Sequence, residues 1–169
     1  MDNIDIVYRA AEESDIDVIY RLVKAAIAEM DKNGISQWDS VYPAREDFLE
    51  DIRKGQLRTG MVCGKTAVVY AVNKECDEQY HNGSWAYPDS EYRVIHRLCV
   101  DPQFQHRGIA KAALEHIEDE LRREGVESIR LDVFTENPHA LSLYRKNGYQ
   151  SVGEAHWRKG RFLLMEKKL

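Results

Sequence analysis

Apolar positions follow a helical period in the first third of the chain. After a strand predicted over Ile4–Arg9, they return every three or four residues, which predicts a long amphipathic helix. The positions on its apolar face are Ile16, Ile19, Tyr20, Val23, Ile27 and Met30. Ser14–Asp17 supplies an N-cap and an acidic first turn, and Asn33–Gly34 supplies a left-handed C-cap. A second helix is predicted over Arg45–Lys54.

The middle of the chain changes to short runs rich in β-branched residues. Leu57–Cys63 and Thr66–Asn73 predict a hairpin with its turn at Gly64–Lys65. A further strand is predicted over Glu91–Val100. The intervening Glu75–Asp89 is weakly patterned, and we interpret it as an excursion within one domain.

The second half of the chain alternates helices and strands. A helix that begins near Gly108 has an apolar side and ends in a basic turn before Gly125. It is followed by a predicted strand Ser128–Phe134, a helix Pro138–Lys146, and strands near Gln150–His156 and Arg161–Lys167. The order βααβββαβαββ predicts an α/β fold with a mixed central sheet, because the strand–helix–strand unit implies a parallel pair and the hairpins imply antiparallel pairs. The 169 residues fit a single domain, 1–169.

The composition and charge of the chain argue against several classes of function. A formal net charge of −5 with mixed signs disfavours a nucleic-acid-binding surface. No apolar run approaches the ~20 residues of a membrane span, and no secretory signal is visible, so we expect no membrane partner and a cytoplasmic protein. Cys63, Cys76 and Cys99 have no disulfide-framework spacing, and we expect reduced thiols. His96 and Cys99, three apart on a strand, should lie on opposite faces, so no metal site is predicted.

The turn Asp101–Ala110 has the features of a phosphate site. It joins a strand to a helix start, where unpaired main-chain amides and the helix dipole favour an anion. Gly108 leaves the main chain accessible, and Arg107 adds positive charge. Neither the P-loop pattern nor the dinucleotide-binding glycine pattern is present. The alternative is that Gly108 only starts a helix and Arg107 is a solvated surface residue.

A second group of polar residues lies on the predicted helix Pro138–Lys146. Asn137 is a helix cap followed by proline at the first helical position. Asn137, Ala140 and Tyr144 are spaced i, i+3 and i+7, so an amide, a small residue and a phenol fall near one face. Tyr144 fits either a catalytic phenol or a core aromatic packed with Leu141 and Tyr149.

Together, Gln105-x-x-Gly108-x-Ala110 and the run Asn137–Tyr149 resemble motifs of the GCN5-related N-acetyltransferase (GNAT) superfamily, whose element order matches nearly the whole chain. The resemblance implies the GNAT fold and acetyl-coenzyme A as donor. It assigns main-chain groups of Leu98 and Val100 to the pantetheine arm, a cofactor contact to Asn137 and protonation of the thiolate to Tyr144. It assigns the diphosphate to the loop and helix start, whose residues are Gln105, His106, Arg107, Gly108, Ile109 and Ala110.

The base that activates the amine is less clear from the sequence. Members of the superfamily often use a glutamate on the fourth strand, and the matching stretch here has none. His96 is the best-placed candidate because imidazole is largely neutral at physiological pH. A histidine packed within the sheet is the alternative, and Glu75 and Glu91 are the further candidates.

The superfamily resemblance places the acetyl acceptor under Asp31–Tyr42, between the first two helices. Trp38 and Tyr42 could form an apolar or cation–π wall, and Asp39 could pair with an ammonium group. Alternatively, Trp38 closes the core.

The sequence therefore predicts an acetyl-coenzyme A-dependent N-acetyltransferase that acts on the primary amine of a small molecule by direct attack in a ternary complex. The alternatives are acetylation of a protein or peptide N-terminus and a non-catalytic acyl-coenzyme A sensor. The sequence does not determine the oligomeric state; terminal strands of this superfamily often support dimers, so the resemblance is compatible with a homodimer.

Overall fold

A computed structural model describes residues 3–169 and contains one seven-stranded mixed sheet with helices on both faces. The predicted element order and α/β class are confirmed. The elements are β1 (Val7–Ala10), α1 (Ile16–Lys32), α2 (Arg45–Arg53), β2 (Leu57–Val62), β3 (Lys65–Asn73), β4 (Tyr92–Val100), α3 (Ile109–Arg123), β5 (Ser128–Phe134), α4 (Pro138–Lys146), β6 (Gln150–Trp157) and β7 (Gly160–Lys168).

The sheet has the order β1-β2-β3-β4-β5-β7-β6, and only β4 and β5 are parallel neighbours. These two strands pair only where Tyr92–Val94 lies beside Ser128–Arg130. Both strands continue further, to Val100 and Phe134, without pairing with each other. They therefore separate toward their carboxyl ends and leave a gap in the middle of the sheet.

Each face of the sheet is covered by a pair of helices. On one face α3 and α4 form the larger core, with Leu114, Ile117 and Tyr144 packed against strand residues such as Ile129. On the other face α1 and α2 bury the predicted apolar stripe against β2, β3 and β4. The sequence periods correctly identified these buried faces.

The weakly patterned segment after β3, Glu75–Asp89, covers the rest of the α1/α2 face of the sheet. Tyr80 packs against Val94 and Leu164, and Ser84 N donates to Val152 O of β6 at 2.7 Å. A Cβ on Gly153 would lie 2.8 Å from a main-chain oxygen of this segment. The predicted excursion is thus a packed cover, held by single aromatic residues that have no repeating period.

Some local predictions were wrong. β1 begins at Val7 because only Val7–Ala10 pairs with β2. The N-terminal cap of α1 does not use Ser14: a short 3₁₀ turn precedes the helix, and the Asp15 carboxylate accepts a hydrogen bond from Glu12 N at 2.8 Å. The hairpin turn lies at Cys63 and Gly64, which both have positive φ (49° and 76°), as a type I′ turn requires.

A bulge in β4 changes which residues share a face. Arg97 has φ of 53°, and the register passes from Ala71–His96 to Val69–Cys99 across it. Because Ala71 and Val69 both face α1 and α2, His96 and Cys99 also share that face. The prediction that they lie on opposite faces was wrong, since the extra residue reverses the alternation. Even so, residues 3–169 contain no cluster of three or more potential metal ligands.

No helix within the described part of the chain combines the length and apolar character needed to cross a bilayer.

Candidate functional site

A cleft of about 830 Å³ occupies the gap between β4 and β5. The residues predicted from sequence that line it are Trp38, Tyr42, His96, Leu98, Val100, Gln105, His106, Gly108, Ile109, Ala110, Asn137 and Tyr144. Arg107 and Asp39 are not among the lining residues. The structure therefore brings the predicted donor and acceptor regions to one cavity.

One end of the cleft is the start of α3. Gly108 is the N-cap in the left-handed conformation, with φ of 75°, and a Cβ there would meet no atom within 4 Å. Main-chain amides from His106 to Lys111 donate to no acceptor within residues 3–169. A run of free amides at a helix start suits a diphosphate. The Arg107 side chain does not line the cleft, and its guanidinium lies 5.6 Å from the centre of the Phe104 ring.

The middle of the cleft is the unpaired edge of β4. Leu98 and Val100 lie beyond the last residue that pairs with β5, so this edge has no strand partner. Gln105 Nε2 donates to Val100 O at 3.4 Å. An extended ligand with amide groups, such as a pantetheine arm, could pair with this edge as a strand does.

Asn137 caps α4, as its position before proline predicts. Its Oδ1 accepts from Ala140 N at 3.1 Å, while its Nδ2 donates to Gln37 Oε1 at 2.8 Å. The side chain therefore fixes both the start of α4 and the loop after α1. Its contact with the cofactor stays a prediction.

Tyr144 is buried with Tyr149 in an edge-to-face pair, and its ring centroid lies 5.5 Å from that of Tyr149. Its hydroxyl makes no hydrogen bond to any group in the described chain, although Tyr144 lines the cleft. Burial, and to a lesser degree the charge of Asp132, raises the pKa of this phenol above its usual value. Tyr144 therefore keeps its proton at neutral pH and can donate it to a ligand.

Asp132 is the cleft residue that the sequence analysis missed. It lies on β5 opposite Leu164, and its Oδ2 accepts the Tyr80 hydroxyl proton at 2.7 Å. Burial raises the pKa of Asp132 to about 6, partly offset by the Tyr80 hydrogen bond. A carboxylate whose pKa is close to neutrality is suited to accept a proton during catalysis.

His96 lines the same cleft, but its pKa is shifted in the opposite direction. Its Nε2 lies 2.8 Å from Asn73 Oδ1 and 3.1 Å from Glu75 O, two acceptors that fix the proton on Nε2. Burial, with the nearby Arg97 charge, lowers the pKa of His96 to about 4. The ring is neutral at physiological pH and is a weak base.

The two glutamates considered as bases are held in ion pairs. Glu75 lines the cleft, with its carboxylate 2.9 Å from Lys54 Nζ. Glu91 pairs with Lys74 and Arg93 outside the cleft, and these partners lower its pKa to about 2. Neither carboxylate has the raised pKa seen at Asp132.

The end of the cleft that is predicted to bind the acceptor, called the acceptor end below, is lined by aromatic and charged side chains. Trp38 and Tyr42 reach the cleft, and Tyr42 Oη accepts from Arg97 Nη1 at 2.9 Å. Arg97 is fixed by a buried bidentate pair with Asp51, at 2.6 and 2.8 Å. Trp38 also packs against the α1/α2 core, so it lines the cleft and closes the core at the same time, while its contact with an acceptor stays a prediction.

The predicted role of Asp39 as an ammonium partner is not supported. Its two oxygens are both held by Arg158, at 2.8 Å each, and Lys159 Nζ is 3.3 Å away. The Arg158 hydrogen bonds keep the pKa of Asp39 well below its usual range. Because these cations come from the distant β6–β7 turn, no local sequence pattern indicates the pairing.

The sequence profile of the acetyltransferase (GNAT) family matches residues 64–149, half of the chain. The chain is 38% identical over 59 residues to the [ribosomal protein bS18]-alanine N-acetyltransferase of Escherichia coli K12, which covers 35% of this chain and 40% of that relative. It is 32% identical over 105 residues to the mycothiol acetyltransferase of Beutenbergia cavernae, which covers 62% of this chain and 34% of that relative. The chain thus spans well under half the length of these two relatives.

A solved acetyltransferase of the GNAT family from Streptococcus agalactiae has the same architecture over its full length. Its TM-score is 0.86, with 28% identity and 99% of each chain covered. The profile match spans β4, the start of α3 and the α4 helix, which form the end of the cleft that is predicted to bind the donor, called the donor end below. The chain belongs to the GNAT family of acetyltransferases, whose acyl donor is acetyl-coenzyme A.

Proposed function

We propose that the chain transfers the acetyl group of acetyl-coenzyme A to the primary amine of a small molecule, by direct attack in a ternary complex. The observation that carries this proposal is that Asp132 and Tyr144 open into the same cleft from opposite faces of the sheet. Asp132 is paired with a residue of the cover on the α1/α2 face, whereas Tyr144 belongs to the α3/α4 core. A proton acceptor and a proton donor thus flank the gap between β4 and β5.

The donor end fits acetyl-coenzyme A. The free amides from His106 to Lys111 would hold the diphosphate, and the unpaired edge at Leu98 and Val100 would hold the pantetheine arm. When bound, the coenzyme supplies the acetyl group as a thioester, a carbonyl that is activated toward amines. The chain's own residues then position the amine and move the protons.

Asp132 takes the proton that the amine loses as its nitrogen bonds to the acetyl carbon. An alkylammonium has a pKa of about 10, so a carboxylate with a pKa of about 6 is a better acceptor than an ordinary aspartate. We assign this role to Asp132 in place of His96, whose pKa of about 4 is lower. Tyr144 donates its proton to the sulfur as the carbon–sulfur bond breaks, and the thiol leaves neutral.

Acetylation of a protein N-terminus is the second candidate. The name of the Escherichia coli relative favours it, whereas the name of the Beutenbergia cavernae relative favours a small molecule. Neither match extends over half of the relative's length, and the family profile ends before the β6–β7 turn that borders the acceptor end. We therefore base the choice on the acceptor end, where Asp39 of the loop between α1 and α2 is hydrogen-bonded to Arg158 of the β6–β7 turn. This contact favours an enclosed pocket, which suits a small amine.

The test is release of free thiol from acetyl-coenzyme A with a panel of small amines, amino acids and short peptides. We expect release that depends on a small primary amine. Asp132→Asn should lower kcat by a factor on the order of 10² or more, while His96→Gln keeps most of it. Coenzyme binding without any amine-stimulated release would instead support a sensor. If His96→Gln alone abolished turnover, the base assignment would be wrong.

A further inference from the structure

Two segments that are distant in the sequence meet above the acceptor end of the cleft. Arg158, in the β6–β7 turn, makes two 2.8 Å hydrogen bonds to the Asp39 carboxylate in the loop between α1 and α2. Lys159 Nζ donates to Ser36 Oγ at 2.9 Å and to Asp39 Oδ2 at 3.3 Å. We call Ser36, Asp39, Arg158 and Lys159 the latch.

The latch lies at the cleft itself. Arg158 and Lys159 both line the cavity, and so does Trp38, the neighbour of Asp39. On the other side of this loop, Asn137 Nδ2 donates to Gln37 Oε1 at 2.8 Å. Hydrogen-bonded side chains therefore bridge this loop to the β6–β7 turn on one side and to the start of α4 on the other.

Asp39 also organises the loop that carries it. Its Oδ1 accepts from Val41 N at 2.9 Å and from Tyr42 N at 3.2 Å. The carboxylate presented to Arg158 and Lys159 is therefore held by the main chain. All four latch residues lie outside residues 64–149, the range that matches the family profile.

We propose that the latch determines the size of the acceptor: it closes the passage that a polypeptide would need and restricts transfer to small amines. A peptide N-terminus must enter with its chain trailing out of the cleft, whereas a small amine can be enclosed. This proposal rests on the proposed transfer to a primary amine. It concerns which amines are accepted and leaves the roles of Asp132 and Tyr144 unchanged.

The latch pairs are partly exposed, so salt screens them. Raising the ionic strength should therefore open the latch and favour longer acceptors. Because the peptide and the small amine share the same donor, the ratio of their kcat/KM values at saturating acetyl-coenzyme A removes effects of salt on the coenzyme.

The test compares alanine amide with a short peptide that begins with alanine, since both present the same reacting amine. The variant is Arg158→Ala with Lys159→Ala, because replacing Asp39 would disturb the loop directly. The matched control is Arg161→Ala, which breaks a similarly exposed pair with Glu154 within the same hairpin. We expect the peptide-to-amide ratio to rise about fivefold in the double variant and to stay at the wild-type value in the control. The ratio should rise with salt in the wild type and not in the double variant.

A second measurement does not depend on activity. Hydrogen exchange of amides 35–42 should be faster in the double variant than in the wild type and in the control. Unchanged exchange would overturn the latch even if the enzyme is active. Faster exchange with an unchanged or lower peptide-to-amide ratio would overturn the role in acceptor size. Faster exchange in a protein that acetylates neither these two acceptors nor any amine of the panel would overturn the proposed function and the selectivity with it, while the contact between the loop and the turn would stand.

Discussion

Tyr80 donates its hydroxyl proton to Asp132 Oδ2 across 2.7 Å and thereby joins the cover after β3 to the candidate site. Tyr80 is buried, and Trp85 Nε1 donates to its carbonyl oxygen at 2.9 Å, which fixes the tyrosine in place. Asp132 Oδ1 has no hydrogen-bond partner within residues 3–169. One oxygen is thus held while the other stays available to a ligand, which makes Tyr80 a positioning residue for Asp132.

Replacing Tyr80 with Phe should move the pH dependence of kcat/KM. The hydrogen bond favours the carboxylate and lowers the pKa of Asp132, as does Arg97, while burial and Asp77 raise it. Tyr144 and Tyr42 also face Asp132 but keep their protons at neutral pH, because burial raises both of their pKa values. We therefore expect the acidic limb to shift from about pH 6 to higher pH, with much of kcat kept on the alkaline side.

The measurement for Tyr80→Phe is kcat/KM from about pH 5 to pH 9. Tyr87→Phe is the control, because it makes the same change in an exposed residue of the same segment. A Tyr80→Phe profile that loses height without moving along the pH axis would show that Tyr80 only supports the fold.

Replacing Asp132 with Asn should stabilise the folded protein at neutral pH. Burial raises the folded-state pKa of Asp132 to about 6, whereas an unfolded aspartate has a pKa of about 3.9. The folded state therefore holds this proton more tightly, and the group lowers the free energy of unfolding as pH rises from about 4 to about 6. Above that window the cost is at most about 3 kcal/mol, from about two pKa units at 1.36 kcal/mol each.

Urea unfolding of Asp132→Asn should show the largest gain over wild type at about pH 8 and little gain below about pH 4. Asp119→Asn, in an exposed carboxylate on α3, should show no such pH-dependent gain. A variant less stable than wild type at pH 8 would mean that the ionised carboxylate makes a favourable contact in the folded state.

The sequence allowed the order of elements and the position of the amide cradle at the start of α3 to be predicted, because both depend on local patterns. The helical period identified the buried faces of α1 and α3, and the glycine at a strand-to-helix turn identified the amide cradle at Gly108. Such signals involve residues within one or two turns of each other, so they can be recognised without knowledge of the fold.

The proton acceptor could not be predicted because its environment is assembled from distant segments. Asp132 alternates with the apolar Leu131 and Val133, which is also the pattern of a solvent-facing position on a strand. Its hydrogen-bond partner, Tyr80, lies 52 residues earlier in a segment without periodicity. The pairing of Asp39 with Arg158 spans 119 residues, so no local pattern indicated it, and Asp39 was predicted to pair with an amine.

Replacing Tyr144 with Phe should lower turnover while the affinity for coenzyme A changes little. The substitution removes only the hydroxyl, which has no partner within the described chain, and leaves the ring packed against Tyr149. Loss of a general acid typically costs about 10² to 10⁴ in kcat. Steady-state kinetics and calorimetric titration with coenzyme A measure the two quantities separately.

Tyr149→Phe is the matched control for Tyr144. Its hydroxyl donates to the buried Glu118 at 3.0 Å and lies away from the cleft lining. This change should therefore lower stability and leave kcat per folded molecule close to wild type. Equal kcat in Tyr144→Phe and wild type would remove Tyr144 from the mechanism.

Replacing Gly108 with Glu should abolish stabilisation by coenzyme A. The new carboxylate would lie at the free amides that receive the diphosphate, and its charge would repel the ligand. The substitution also places a side chain at positive φ, which costs about 1–2 kcal/mol irrespective of any ligand.

Gly125→Glu separates the two effects, because Gly125 has φ of 80°, equally open surroundings and a position beyond the opposite end of α3. In thermal unfolding, both variants should melt below wild type, and Gly125→Glu should melt lower, because a carboxylate is favourable at a helix N-terminus and unfavourable at a C-terminus. Ligand at 100 times its Kd stabilises a protein by about 2.7 kcal/mol, so coenzyme A should raise the Tm of wild type and of Gly125→Glu, but not that of Gly108→Glu. A Gly108→Glu protein that still gains the full shift would place the diphosphate elsewhere.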